Sequence, residues 1–235
     1  DHMFPREKSP STLYHYTSID ALRGIASSEE LRLYPIRKRI GEGGEMEAFA
    51  RAHRLDGYLT KDQGDPYYKE MSNDIFYVSL TRTPPKDPSY MWSYFSHGSG
   101  VRLEFIVWPK AAELRPVYYE QAGTKTLLAD INSALAAAGA PPFVPHTLSW
   151  IGAFYLSSLV SSEDEVRLMM KRQKGGPDLT QSDGQFDYWP IPIGPSNAIC
   201  ELDLSGIHVA PGGDLSKVTN AISGTAFSSI SPTGP

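Results

Sequence analysis

The sequence predicts an α+β single domain: a split, antiparallel or mixed β-sheet core with flanking helices. Three observations carry this. Short β-rich runs recur along the chain, capped helical segments are scattered among them, and the two do not alternate in the βαβ rhythm of a parallel sheet. At 235 residues the chain is long enough to bury a sizeable core.

Residues 1–10 read as a lead-in. Asp1-His2-Met3 looks like a cloning scar, so any native targeting segment is expected to have been trimmed away. The domain is expected over 11–227, with a flexible Ser/Thr/Gly/Pro tail at 228–235. "TLYHYT" is β-branched and aromatic, a short strand. "SIDALRGIASSEEL" places Ser18 as an N-cap before Ile19, Leu22 and Ile25 at helical spacing. "GEMEAFARAHRLDGYL" fits a helix that starts after Gly44, and "NDIFYVSLTR" is a strand closed by Pro84-Pro85. "SYMWSYF" is a short helix or turn rich in rings, and "GVRLEFIVWP" and "LRPVYYE" are further strands.

"TKTLLADINSALAAAG" fits a helix capped by Gly139, and "HTLSWIGAFYLSSLV" predicts a buried apolar helix. A strand then begins at the acid run of "SSEDEVRLMMKR". Residues 174–194, punctuated by Gly and Pro, are expected to form a long loop without regular structure. "AICELDL" and "IHVA" are late strands, and "DLSKVTNAI" is a last helix.

Hydrophobic residues at 40% and charged ones at 21% are ordinary for a soluble globular protein. A net charge of −5 argues against a nucleic-acid partner held through phosphates. The basic cluster Arg37, Lys38 and Arg39 reads first as a solvated face. No window approaches the ~18 apolar residues of a membrane span, so no membrane partner is expected. The single cysteine, Cys200, excludes an internal disulfide and a cysteine-based zinc site, and its apolar surroundings predict a buried, inert thiol.

Three stretches could carry chemistry. "LYHYTS" puts His15, Tyr16, Thr17 and Ser18 where a strand gives way to a helix. Its plain reading is a capped helix start; its functional reading is a polar cluster at a strand exit. "FYVSLTRTPPKDPSYMWSYFSHGSG" carries Ser79 and Thr81 on a strand, then Tyr90, Trp92 and Tyr94. Such rings are more often core, yet Tyr90 and Tyr94 share a helical face on which a flat heterocycle could stack. In "SSEDEVRLMMKR" strand alternation sets Glu163, Glu165, Arg167 and Met169 on one side and Asp164 on the other. The plain reading is a solvated turn. The alternative is a carboxylate pair able to stabilise a developing cation.

Together, the order of an H-Y-T-S strand end, a V-S-L-T strand followed by M-W-S-Y, and an E-D-E-V-R strand start resembles the ADP-ribosyltransferase superfamily. The likeness is to its bacterial, His-first-motif branch and spans residues 13 to 172. The resemblance implies a sheet core of ADP-ribosyltransferase type and a mono-ADP-ribosyltransferase that takes NAD as co-substrate. It implies that His15 contacts the adenosine ribose, with Tyr16 and Thr17 shaping the strand end. Ser79 would support the nicotinamide side and the catalytic acid, and Tyr90 or Tyr94 would stack on nicotinamide. Glu165 takes the place of the catalytic Glu and Glu163 that of the acceptor-selecting acid.

Enzymes of this branch are often effectors or toxins, secreted or translocated into a host cell, and one group modifies a threonine of host ubiquitin. A protein acceptor, host ubiquitin among them, is therefore implied. No metal is expected, since the six histidines lack the close spacing of a zinc helix. Two rival readings stay open: an NAD glycohydrolase, and a binding module on the same fold without catalysis. Phe186, Tyr188 and Trp189 in the 174–194 segment are expected either to recognise the target protein or to pack the loop onto the core.

Overall fold

Alternation sorts the strands. In β4 (Val101–Trp108), Val101, Leu103, Phe105 and Val107 are buried on one face, while Arg102, Glu104, Ile106 and Trp108 lie toward solvent on the other. The computed structural model describes residues 5–38, 45–53, 55, 72–82, 88–120, 127–143, 152–195 and 197–234. Its strands are β1 (Ser11–Thr17), β2 (Glu30–Pro35), β3 (Ile75–Thr81), β4, β5 (Glu113–Pro116), β6 (Tyr118–Glu120), β7 (Tyr155–Ser157), β8 (Glu165–Lys171), β9 (Gln181–Ser182), β10 (Asp187–Pro192) and β11 (Glu201–Val209). Its helices are α1 (Ile19–Ser28), α2 (Glu45–Ala52), α3 (Ser89–Ser96), α4 (Leu127–Ala137) and α5 (Leu215–Ile222). The protein is α+β, as expected.

Nine strands form one antiparallel sheet in the order β11-β4-β1-β3-β2-β10-β9, with β8 on β3 and β5 on β8. The strands β6 and β7 make a separate parallel pair. One sheet face carries the main core, where α1 (Leu22, Ile25, Ala26) and α5 (Val218, Ala221, Ile222) cover Phe76, Val78, Leu80, Leu103, Phe105, Val166 and Leu168. Caps fix both helices. The Ser18 hydroxyl accepts from the Ala21 amide at 3.1 Å, and the Asp214 carboxylate accepts from the Ser216 and Lys217 amides.

The strand β3 decides where a site can lie. One edge pairs with β8 along its whole length, from Ile75↔Lys171 to Thr81↔Glu165. The other edge is shared: β2 takes Phe76 and Tyr77, and β1 takes Thr81 alone, opposite Tyr14. The sheet thus splits between β1 and β3 beyond a single residue pair.

Several expectations need correction. The Glu30–Pro35 strand was not foreseen, because "ELRLYP" follows a helix without a turn signal; its alternate Leu31, Leu33 and Pro35 are buried. Of the apolar helix expected at residues 146–160, Gly152 is the last helical position described, and the helix does not continue beyond it. Tyr155–Ser157 is β7, and Ser158–Glu163 is a 3-10 turn. Residues 144–151 lie outside the described residues.

The expected 174–194 loop contains β9 and β10, and β10 pairs with β2 from Trp189↔Leu33 to Pro192↔Glu30. The two late strands are one, β11, interrupted by a bulge between Leu204 and Gly206. The tail is also held: the amide of Val209 donates to the Thr233 carbonyl, and Thr233 Oγ1 lies 2.8 Å from His208 Nδ1. The lead-in is anchored likewise, with Glu7 paired to Arg82 and Arg6 to the Ala112 carbonyl. Among the described residues no helix is long and apolar enough to cross a membrane. Cys200 is buried, and burial pushes its thiol up to about 12.

Candidate functional site

A cleft of about 130 Å³ opens where β1 and β3 part. Tyr14, His15, Tyr16 and Thr17 line it from β1, and Ser79, Leu80 and Thr81 from β3. Met91 and Phe95 enter from α3, Glu165 closes it from the start of β8, and Glu163 from the 3-10 turn before that strand.

Each wall has a local cause. Gly100 follows the α3 turn, and a Cβ there would stand 2.1 Å from the Thr17 carbonyl oxygen, so glycine alone lets that turn close against the end of β1. At the split the Ser79 carbonyl is reached by a side chain of β1. His15 Nδ1 lies 3.0 Å from it. A carbonyl can only accept, so Nδ1 carries the proton in this contact.

Glu165 is the most constrained group of the cleft. Its Oε1 accepts from Ser79 Oγ at 2.5 Å and from Arg167 Nε at 2.8 Å; its Oε2 accepts from Arg167 Nη2 at 3.0 Å. Arg167 Nη1 donates to the Ala153 carbonyl, and the guanidinium lies over the Tyr77 ring at 4.6 Å. The Glu165 amide donates to the Tyr119 hydroxyl at 2.9 Å, and burial above all raises the Tyr119 phenol far above its ordinary value.

Glu165 is 4% exposed and Arg167 2%. The plain reading of the acid run as a solvated turn therefore does not hold at Glu165, which is half of a buried, forked ion pair.

Glu163 also reaches the cleft, but not by strand alternation. It ends the 3-10 turn, and Asp164, at φ 44°, breaks the chain between the two acids. Glu163 is 9% exposed, and the Tyr90 hydroxyl donates to its Oε1 at 3.3 Å. Burial first, and the Glu163 charge second, raise the Tyr90 phenol.

The chain matches no protein-family model, no curated protein and no solved structure.

His15, Tyr16, Thr17, Ser79, Glu163 and Glu165, separated by up to 150 positions, meet on this cleft. Tyr90 and Tyr94 do not line it. They stack on each other at 5.5 Å and 14° on its rim, 43% and 65% exposed, while α3 turns Met91 and Phe95 inward. Phe95, at 4.9 Å from Tyr94, is the ring that α3 gives the cleft. Tyr16 packs edge-on against Trp92 at 4.9 Å, and burial raises its phenol against a smaller opposing pull from Arg102.

Phe186, Tyr188 and Trp189 lie on the far side of β2. Trp189 is in the main core against Phe76, and Tyr188 is buried between Arg32 and Tyr34. Phe186 neighbours Lys38, which lies over the Tyr34 ring. Of the two roles open to these rings, packing is the one their surroundings favour.

Arg167, Tyr119, Met91 and Phe95 escaped the sequence reading as site residues. Arg167 had a usable signal: Ser79 and Thr81 on one strand, Glu165 and Arg167 on another, share the period of two that sets all four on one face. Tyr119 had none, since its hydroxyl arrives from a separate small sheet. Among the described residues no three His, Cys, Asp or Glu side chains come together as a metal site requires.

Proposed function

We propose that the protein is a mono-ADP-ribosyltransferase that moves ADP-ribose from NAD to a protein acceptor and releases nicotinamide. The observation that carries this reading is the convergence of three sequence stretches on one cleft: His15 bonds the Ser79 carbonyl, and the Ser79 hydroxyl bonds Glu165. The resemblance lies in the order of those stretches along the chain, and nothing in that order alone requires them to share a surface.

The chemistry assigned to the residues is as follows. The bond between nicotinamide nitrogen and ribose C1′ breaks with its electron pair going to nicotinamide, which leaves neutral. Positive charge develops on the ribose. Glu165, fixed by Ser79 and Arg167, presents a carboxylate that needs no reorganisation to stabilise that charge. Arg167 offsets part of its charge, so the contribution is one of placement as much as of field. The acceptor's hydroxyl oxygen then bonds to C1′, and Glu163 is placed at the cleft mouth to take its proton.

Host ubiquitin, through a threonine, is the acceptor that the resemblance suggests. Incubation with NAD labelled in the adenylate, in a host-cell lysate, tests the reading. Labelled protein supports transfer, free ADP-ribose with unlabelled protein indicates a glycohydrolase, and intact NAD indicates a module without catalysis. Purified ubiquitin in place of lysate tests the acceptor.

A further inference from the structure

Four polar side chains share one face of the β3/β8 ladder at its cleft end. Ser79 stands opposite Arg167, and Thr81 opposite Glu165. Three of these corners are bonded together: Ser79 to Glu165, and Glu165 to Arg167 through a two-pronged ion pair. The fourth is not. Thr81 is 3% exposed, and its hydroxyl finds no hydrogen-bond partner among the described residues. A buried hydroxyl without a partner is costly and uncommon, and Thr81 lines the cleft.

Its position is special in a second way. Thr81 is where β1 touches β3, so Tyr14, Thr81 and Glu165 form a row across three strands at the point where the sheet splits. Side chains directly opposite on an antiparallel ladder have Cβ atoms roughly 4.5–5.5 Å apart. A carboxylate offers about four acceptor positions, and two on Glu165 Oε1 and one on Oε2 are taken within the protein. One acceptor position on Oε2 is therefore left over, on the residue directly opposite Thr81 in the ladder.

We infer that Thr81 is a ligand-binding residue, and that Thr81 and Glu165 together grip two adjacent hydroxyls of a sugar ring. One ligand hydroxyl donates to Glu165 Oε2. Its neighbour exchanges a hydrogen bond with Thr81 Oγ1, which can donate or accept. A vicinal diol fits this pair because both partners are needed at once and stand side by side. The inference rests on the NAD reading, where the diol belongs to the ribose that carries nicotinamide.

Thr81→Val keeps the shape and removes the hydroxyl. Titration of NAD into wild type, Thr81→Val and Thr81→Ser measures affinity, and thermal melting without ligand measures stability. The expected result is a loss of affinity of about tenfold for the valine variant, recovery with serine, and an unliganded melting temperature at or above wild type. NAD lacking the 3′-hydroxyl of that ribose should lose the same factor on wild type and nothing further on Thr81→Val.

Equal NAD affinity of wild type and Thr81→Val would overturn this inference and leave the NAD reading standing. A melting temperature lowered in Thr81→Val, with a deoxy-NAD penalty unchanged by the substitution, would assign the hydroxyl a structural role and overturn it too. Failure of wild type to bind NAD at all would overturn the functional reading itself, and this inference with it.

Discussion

Under α1 and α5 the sheet is laddered along its length: β4 pairs with β1 over seven positions and, across one bulge, with β11 over eight, around an apolar core. On the opposite face of β3 and β8 the same ladder changes character along its length. Ile75, Tyr77 and Met169 are buried among Ile36, Met46 and Phe154, and two residues farther on the face carries Ser79, Thr81, Glu165 and Arg167. The apolar region holds its shape by filled volume, which neighbours of similar size can supply. The polar end holds its shape by directed bonds, and each is specific to its donor and acceptor. The two regions should therefore respond differently to substitution.

The largest effect is expected at Arg167. Arg167→Met leaves the Glu165 carboxylate buried without its counter-ion and should cost about 3–5 kcal/mol by chemical denaturation. Arg167→Lys should recover little of it, because lysine lacks the fork that grips both carboxylate oxygens. Combining Arg167→Met with Glu165→Gln should cost less than the sum of the single changes. A lysine variant as stable as wild type would dissolve the contrast between the two regions.

Trp189→Ala in the apolar region should also cost about 3–5 kcal/mol, through the cavity it leaves against Phe76. Trp189→Phe should recover a large part of that, as volume is what matters there. Nicotinamide release and protein modification should fall together in the alanine variant. Selective loss of modification would return these rings to target recognition.

A smaller loss is expected from Ser79→Ala, which removes one hydrogen bond to a buried carboxylate, about 1.5–3 kcal/mol on denaturation. The smallest effect on stability should come from Glu163→Gln, within about 1 kcal/mol, since its hydroxyl partner Tyr90 is itself half exposed. That variant sharpens the functional side instead: transfer to protein should drop more than NAD hydrolysis.

How much of this was legible beforehand differs by region for the same reason. Local patterning was readable: Ser18 before an i, i+3 apolar repeat, alternation in "NDIFYVSL", and Asp214 ahead of "LSKVTNAI" all became the elements they predict. Where neighbours decide, reading failed. "AFYLSSLV" has the apolar run of a helix, but Tyr155–Ser157 pairs with Tyr118–Glu120 instead. "DYWPIP" carries two prolines and read as loop, yet Trp189–Pro192 is held against β2. In the cleft the carboxylates could be named from sequence, but the counter-ion of Glu165 could not be told from a strand-edge arginine until burial was known. The acids also meet the cleft by different routes, since Asp164 takes a positive φ that no alternation rule anticipates.

The central claim is that Glu165, fixed by Ser79 and Arg167 at the split in the sheet, acts by its charge on NAD. Glu165→Gln preserves size, and its one carbonyl oxygen can still accept from Ser79 Oγ and Arg167 Nε; it removes the charge and, with the second oxygen, the Arg167 Nη2 prong. Nicotinamide release from NAD by wild type and by this variant, each checked for a folded far-UV spectrum at the assay temperature, is the direct measurement. The account predicts release by wild type and a loss on the order of 10²–10³ in the folded variant, the size of effect that removing one preorganised electrostatic contact produces. Release by the folded variant at the wild-type rate would contradict it.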